Sequence, residues 1–507
     1  MNKNAFFITT PIYYVNAPCV HVGHGITTIL ADVRARFERL RGRDVFLSTG
    51  TDEHGSAVAK AAEKAGVTPQ LFADQNATNF LATWKQFNIS FDDFIRTTEQ
   101  RHLQGVDTFL NALHASGYIY QGTYKGHYCT GCEAFKEPED LVDGNCPIHK
   151  TKADYLEEKN WFFKLSELAP KVKALIENNT IRIMPEGRRN EVLGFLNGEV
   201  KDVSISRETV SWGIPLPFDE KQTTYVWIEA LLNYITVIGF DRNMEHYKRY
   251  WEQAERVHTL GKDIIRFHCV IWPAMLLAVG FPLPHTLFVH AFLKSEGHKM
   301  SKSLGNVVYP DELAAKFGVD GARYVLFAET PVNDDGDIKQ SSLGERYNAE
   351  LKNNLGNLFS RLTVLAQKAK IVELRPDTQS KESKAFAKLV STAWKNASSA
   401  IEQFDTRAYL AVAQQPLEAA NKYIDTTKPW QIKESGELAP VLATAFELLR
   451  HGALLLSPII PATFDTIGQS LHLQHSLPFA KKITWGAQPI AIPTNHIHLF
   501  HGVNTKK

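Results

Sequence analysis

FFITTPIYYVNAPCVHVGHGITTILADVRARFERLRGRDVFLSTGTDEHG, residues 6–55, decides the fold class. Residues 6–10 are a short apolar run that predicts a buried strand. From Gly25 the apolar side chains Ile26, Ile29, Leu30, Val33, Phe37 and Leu40 recur at helical spacing, so residues 25–40 are expected as the helix behind that strand. Residues 44–49 predict a second strand, which runs into the polar loop Gly50-Thr51-Asp52-Glu53-His54-Gly55. Strand, helix, strand, polar loop is the rhythm of an α/β, doubly wound parallel sheet, whose ligands sit beyond the carboxyl ends of the strands.

Working outward, helices near 56–66, 70–87 and 98–116 continue the pattern. It breaks at Tyr118, where aromatic, glycine and short strand-like pieces such as Thr123-Tyr124-Lys125-Gly126-His127-Tyr128 begin an inserted domain. Sheet rhythm resumes with the run 225–228, a strand through 257–263, a helix through Trp272, and residues 286–291 as the last strand. After Gly344 helical stripes at 345–369, 384–403, 408–424 and 435–457 predict a bundle. The proline-dotted tail, with the apolar piece 497–500, is expected to fold back over another domain.

The 507 residues carry a formal charge of only +1, which excludes a uniformly basic nucleic-acid binder but leaves room for one basic face. No basic and apolar leader opens the chain, and the longest apolar stretch, 269–283, holds two prolines and is short for a span. A cytoplasmic protein without a membrane partner is expected. Of the five cysteines, three fall close together as Cys129-x2-Cys132 and Cys146-Pro147-Ile148-His149, which is metal-site spacing rather than a disulfide scaffold. Thiolates and one imidazole in two tight turns suit a closed tetrahedral zinc site.

Two further segments carry chemistry. His21-Val22-Gly23-His24 opens the first helix, whose free amide groups attract phosphate, and both imidazoles can donate to oxygens that gain charge in phosphoryl chemistry. Lys299-Met300-Ser301-Lys302-Ser303 lies between Gly297 and Gly305, and two flexible ammonium groups there can follow a departing pyrophosphate. Alone, the first also reads as a structural histidine pair and the second as a solvated turn. Together they indicate a nucleotide site split along the chain.

Taken with Thr10-Pro11-Ile12-Tyr13-Tyr14-Val15-Asn16, the Gly50 to Gly55 loop, Val226-Trp227-Ile228-Glu229-Ala230 and Gly261-Lys262-Asp263, these segments stand in the order found in the methionyl-tRNA synthetases. The chain resembles the bacterial and organellar type of that family, within class I of the aminoacyl-tRNA synthetases, over essentially its whole length. The resemblance implies a Rossmann-like catalytic domain (1–117 and 225–295) split by a zinc-binding connective insertion (118–224). A lysine-loop and stem-contact segment (296–344) and a helical anticodon-binding domain with its tail (345–507) follow.

The implied reaction is ATP-dependent activation of L-methionine to methionyl-adenylate and pyrophosphate, followed by transfer to tRNA(Met) with release of AMP. The family's methionine pocket carries over onto Ile12, Tyr14, Asp52, Trp227, Ala230, Tyr234 and His290. ATP falls to His21, His24, Gly261, Asp263, Lys299, Ser301 and Lys302, of which His21, His24, Lys299 and Lys302 are the catalytic set. Anticodon reading falls to Asn357, Arg361 and Trp430, and an arginine near the active site matches Arg207. Structural Zn2+ on Cys129, Cys132, Cys146 and His149, Mg2+ with ATP, and a monomer complete the expectation.

Bland alternatives stand beside several of these residues. Trp227 and Tyr234 also suit a core, Asp263 and Asn357 a helix cap, Trp430 a buried anchor, and Arg207 a surface ion pair. The rival functions are another class I synthetase and a tRNA-binding paralogue without activity.

Overall fold

The computed structural model describes residues 4–17, 20–129, 134–136, 138–147, 150–300, 306–474 and 476–504. The chain forms two compact units. One comprises 1–20, 44–84 and 90–290, and the other 21–43, 85–89 and 291–507.

The first unit is built on a six-stranded sheet in the order Asp93–Arg96, Asp44–Asp52, Ala5–Tyr14, Glu255–Gly261, Thr286–His290, Arg182–Met184. Every pairing in it is parallel. Ala5–Tyr14 is buried along nearly its whole length, as a parallel strand covered on both faces requires, which is why it reads as a continuous apolar run and not as an alternating one. From this strand the chain builds outward on one side through Asp44–Asp52 and Asp93–Arg96, and later on the other through Glu255–Gly261 and Thr286–His290. The reversal point lies beside the first strand, and the crevice at its carboxyl end is where such sheets bind ligands.

Two local expectations are corrected. Residues 225–228 are no strand: Tyr225 is the extended residue before the helix Val226–Leu231. The strand Thr286–His290 is, as expected, the last of this sheet in chain order, but it is not the edge, because Arg182–Met184, from within the stretch 118–224, pairs beyond it. The single helix expected through Trp272 is a 3-10 turn at Lys262–Ile264, a π-turn at Phe267–Ile271 and an α-helix at Trp272–Ala278. Pro273 has no N–H to give the carbonyl of Cys269, and the ladder widens there. The remainder of 118–224 contains an antiparallel sheet in the order Ala134–Lys136, Ile119–Cys129, Asp154–Phe163, Val203–Ser204.

In the second unit the helix Val22–Leu40 starts three residues before the expected Gly25, because His21 caps it. It packs on Pro310–Ala328, with Gly25 facing Leu326 and Pro310; a Cβ there would make ordinary contact with both at 3.6 Å. A buried guanidinium ties this unit together. Arg323 pairs with Asp32 at 2.7 Å and donates to the carbonyls of Ile459, Pro458 and Phe87 at 2.8, 2.9 and 3.0 Å. The expected bundle is present as Asn357–Lys368, Lys381–Glu402, Thr406–Thr427 and Ser435–Leu456.

Among the described residues Ser435–Leu456, and not the stretch 269–283, is the helix long and apolar enough to cross a membrane by composition. It is mostly buried in the unit and carries the paired Glu447 and Arg450. The tail folds back within the second unit. Val503 exchanges two hydrogen bonds with the Asn348 side chain, and Gln367 donates to Pro493, so the tail lies along a helix of its own unit.

Candidate active site

In the sheet unit, the carboxyl ends of neighbouring strands bring the expected residues into register. Ile12 pairs with Gly50 and Tyr14 with Asp52, and on the other side Gly261 pairs with His290. Asp52 is 4% exposed, a carboxylate withdrawn from solvent at the end of its strand. Gly261 keeps this corner open: a Cβ there would stand 2.7 Å from the Asp263 carboxylate, which would have to turn aside, and in ordinary contact with the His290 ring at 3.6 Å. Asp263 lies inside the turn Lys262–Ile264 and not at its N-cap, which is Gly261. It caps no helix.

Trp227, Ala230 and Tyr234 come from two short consecutive helices, Val226–Leu231 and Asn233–Thr236. Trp227 stacks on Phe267 with ring centres 4.5 Å apart and planes 12° from parallel. The Tyr234 hydroxyl lies 2.6 Å from His268 Nε2, and the ring stands 4.2 Å from that of His258. His268 Nδ1 is 3.0 Å from the Ile264 carbonyl, an acceptor only, so Nδ1 carries the proton and Nε2 accepts from Tyr234. Burial lowers the His268 pKa to about 4 and pushes the Tyr234 phenol up, so both are neutral near pH 7.

Thus the partner that Tyr234 meets is His268, which sequence reasoning missed. His290 stands over Gly261 instead. The signal was available but faint: a histidine four residues after Ile264, in a run that is apolar but for Arg266. Phe267, next to it, was missed for the same reason.

Also unanticipated is the charge beneath this wall. Glu229 is fully buried, with Oε1 2.8 Å from His54 Nδ1 and Oε2 2.9 Å from His102 Nε2. Burial by itself would raise its pKa, but the two imidazoles outweigh that and hold it below the ordinary carboxylate value. Glu53, adjacent to Asp52, receives Arg96 Nε at 2.7 Å and the Thr51 hydroxyl at 2.6 Å. The loop after the second strand is therefore pinned on both sides of Glu53 and His54.

Arg207 is buried, with its guanidinium 3.9 Å over the Tyr225 ring, and so does not stand at the surface.

In the helical unit, His21 is the N-cap of Val22–Leu40: its ring accepts from Gly23 N at 3.1 Å, and His21 N donates to His24 Nδ1 at 3.4 Å. The two rings stack at 3.7 Å. Burial, and then the neighbouring His21, lower the His24 pKa well below its usual value, so His24 is a neutral imidazole near pH 7. Lys299 closes the short hairpin of His298–Lys299 with Leu293–Ser295. Val22 N bonds the Val308 carbonyl at 3.1 Å, joining the histidine helix to the segment that follows the lysine loop. Ser301 and Lys302 lie outside the described residues.

Farther along this unit Asn357 and Arg361 follow one another by a turn, and the Arg361 guanidinium stands 5.7 Å over the Trp430 ring. Trp430 is 50% exposed, so it is no buried anchor. Arg361 also pairs with Asp425 at 3.2 Å, and Asn357 bonds Asn353 at 3.4 Å.

Cys129, at the end of its strand, and Cys146 are both fully buried. Cys132 and His149 lie outside the described residues. Among the described residues no three His, Cys, Asp or Glu side chains form a metal-ligating cluster.

A family model described as tRNA synthetases class I (M) matches residues 6–155 and 132–363. A methionine–tRNA ligase of Caldanaerobacter subterraneus is 40% identical over 490 residues, covering 96% of this chain and 76% of the relative. One from Streptomyces coelicolor is 40% identical over 494 residues, covering 93% and 90%. The solved Mycobacterium tuberculosis methionyl-tRNA synthetase in complex with methionyl-adenylate superposes with a TM-score of 0.92 at 35% identity, covering 98% of this chain and 99% of that one. With the strand-end carboxylate, the aromatic wall and the histidine-capped helix in place, the chain belongs to the methionyl-tRNA synthetase family of class I aminoacyl-tRNA synthetases.

Proposed function

We propose that the chain is a methionine–tRNA ligase: it joins L-methionine to ATP as methionyl-adenylate and passes the methionyl group to tRNA(Met). The observation that carries this reading is the buried Asp52 carboxylate at a parallel-strand end in a unit that also builds the neutral Trp227, Phe267, Tyr234 and His268 wall. A carboxylate suits the substrate ammonium, and uncharged polarisable rings suit a thioether. Ile12, Tyr14, Ala230 and His290 complete the amino-acid site, while Gly261 and Asp263 receive the adenosine.

In the first step the methionine carboxylate attacks the α-phosphorus, and the bond to the pyrophosphate oxygen breaks. His21 and His24 donate to the α-phosphate oxygens as charge builds, and Lys299, Ser301 and Lys302 hold the leaving pyrophosphate. Mg2+ bound with ATP would share that charge. In the second step a hydroxyl of the terminal tRNA adenosine attacks the methionyl carbonyl and AMP leaves.

Structural Zn2+ is assigned to Cys129, Cys132, Cys146 and His149. The two described thiols fit it: both are buried, and Cys146 opens a tight turn in which Lys150 N bonds its carbonyl at 2.7 Å. We assign the protein to the cytoplasm as a monomer.

A rapid-quench single turnover tests the chemistry. Wild-type protein with ATP and methionine should accumulate methionyl-adenylate, and His24→Ala should form it roughly tenfold or more slowly with methionine binding nearly unchanged, since its hydrogen bond strengthens only as the transition state forms. Absence of adenylate in the wild type would contradict the reaction, and a normal rate in His24→Ala would remove that residue from it.

For the anticodon, Asn357, Arg361 and Trp430 are the readers. The half-exposed indole beside a guanidinium is a platform for an unstacked base. Trp430→Ala should weaken kcat/KM for tRNA roughly five- to a hundredfold, the worth of about 1–3 kcal/mol of stacking. Pyrophosphate exchange should stay unchanged in the same variant. A parallel fall of both activities would make Trp430 a packing residue.

A further inference from the structure

The charge buried beneath the amino-acid wall has no part in the chemistry just described. Glu229 sits two residues after Trp227 and one before Ala230, on the same short helix, and is fully buried. A buried charge is a costly way to fill space, and a well-packed apolar side chain would be at least as stable. What a carboxylate offers instead is direction, because its two oxygens fix two donors at defined angles.

Those donors come from different parts of the unit. His54, 2.8 Å from Oε1, is two residues past Asp52 on the loop that ends its strand. His102, 2.9 Å from Oε2, lies on the helix Gln100–Ala115, and its Nδ1 is 2.9 Å from the Thr236 hydroxyl on the helix that carries Tyr234. One carboxylate therefore connects the Asp52 loop, the Trp227 and Ala230 helix, and the Tyr234 turn.

The Asp52 loop is also held from the far side of His54. Trp212 donates its indole N–H to the Glu53 carbonyl at 2.7 Å, and Gly55 N bonds the Trp212 carbonyl at 3.0 Å. His54 and Trp212 together border a cleft of about 950 Å³ whose walls include Gln100, Gln104 and Glu220. With Trp212 fixing its backbone and Glu229 its ring, His54 is held as a strut between the loop and the helix.

We infer that Glu229, held between His54 and His102, is a positioning residue that sets the Asp52 carboxylate against the Trp227–Tyr234 wall, and so determines the affinity for the amino-acid substrate. It touches no substrate itself. The inference rests on the methionine-activating reading of this site and adds to it the part that fixes its geometry.

Steady-state ATP–pyrophosphate exchange on the full chain tests it, with methionine and ATP varied separately. Glu229→Gln removes the charge but keeps the shape, and should raise the methionine KM roughly tenfold, since small displacements of binding groups cost that much or more. The ATP KM should stay within about twofold in the same variant. Glu229→Asp keeps the charge on a shorter arm and should recover part of the loss. His102→Gln leaves the His54 contact in place, and should raise the methionine KM by a smaller factor even if Glu229→Gln fails to fold.

A methionine KM unchanged in folded Glu229→Gln and His102→Gln, or a rise in both KM values together, would overturn the inference and make the cluster a plain packing element. Wild-type protein without methionine-dependent exchange would instead overturn the reading of the site, and the inference with it.

Discussion

Asp52→Ala should lower kcat/KM for methionine in pyrophosphate exchange by roughly 30-fold to several thousandfold, the equivalent of about 2–5 kcal/mol for removing one member of a buried charge pair. The size follows from position. Asp52 is 4% exposed at the end of a parallel strand, where water cannot replace it at a substrate ammonium. Its backbone is held independently, since the Asp52 carbonyl accepts from Val15 N at 3.1 Å and Glu53 is paired with Arg96, so truncation removes the charge without releasing the loop. The loss should lie in methionine use, with the KM for ATP little changed. A variant that exchanges at the wild-type rate at low methionine would remove Asp52 from the site.

Arg323→Met should destabilise the helical unit by about 3–5 kcal/mol, because it strips a buried ion pair of one partner. Arg323 and Asp32 are both fully buried, and the guanidinium also satisfies the Phe87, Pro458 and Ile459 carbonyls. Asp32 keeps Arg36 at 2.8 Å, which moderates the cost without supplying those carbonyls. Hydrogen exchange along Val22–Leu40 and Pro310–Ala328 measures the effect directly, since both helices meet at this pair. Protection equal to that of the wild type would show that the pair contributes orientation and no net stability. Asp32→Leu combined with Arg323→Met should cost less than Arg323→Met alone, because no carboxylate is then left buried without Arg323, and Arg36, which is partly exposed, keeps its bonds to Asn88.

The parts of the fold legible in the sequence were those with a strong period. The buried run at the start, the stripe from Ile26 to Leu40 and the long stripes after Gly344 each fill a whole element with one pattern, and the elements appear where the pattern does. Short elements did not yield. Residues 225–228 are Tyr, Val, Trp and Ile, all favoured in strands, yet the segment turns helical because tertiary packing overrides local preference in so short a piece. Arg182–Met184 has three residues, too few for any period, and only its pairing with Thr286–His290 reveals it.

The site divides in the same way. Asp52, Trp227, Ala230 and Tyr234 stand in segments distinctive enough to be matched, whereas His268 hides in an apolar run and reads as core until the Ile264 carbonyl and the Tyr234 hydroxyl are seen on its two nitrogens. Glu229 was in plain view inside a matched segment. Its meaning was not, because its partners lie 175 and 127 residues away in sequence and no local pattern links a carboxylate to imidazoles at such separations.

The central claim is that this site selects methionine. ATP–pyrophosphate exchange, measured with purified protein and each of methionine, leucine, isoleucine, valine and cysteine in turn, tests it most directly. Exchange is expected with methionine, and with the others a kcat/KM lower by roughly 10- to 200-fold, the discrimination available to an apolar pocket. Exchange with leucine equal to that with methionine, or none with methionine, would contradict it.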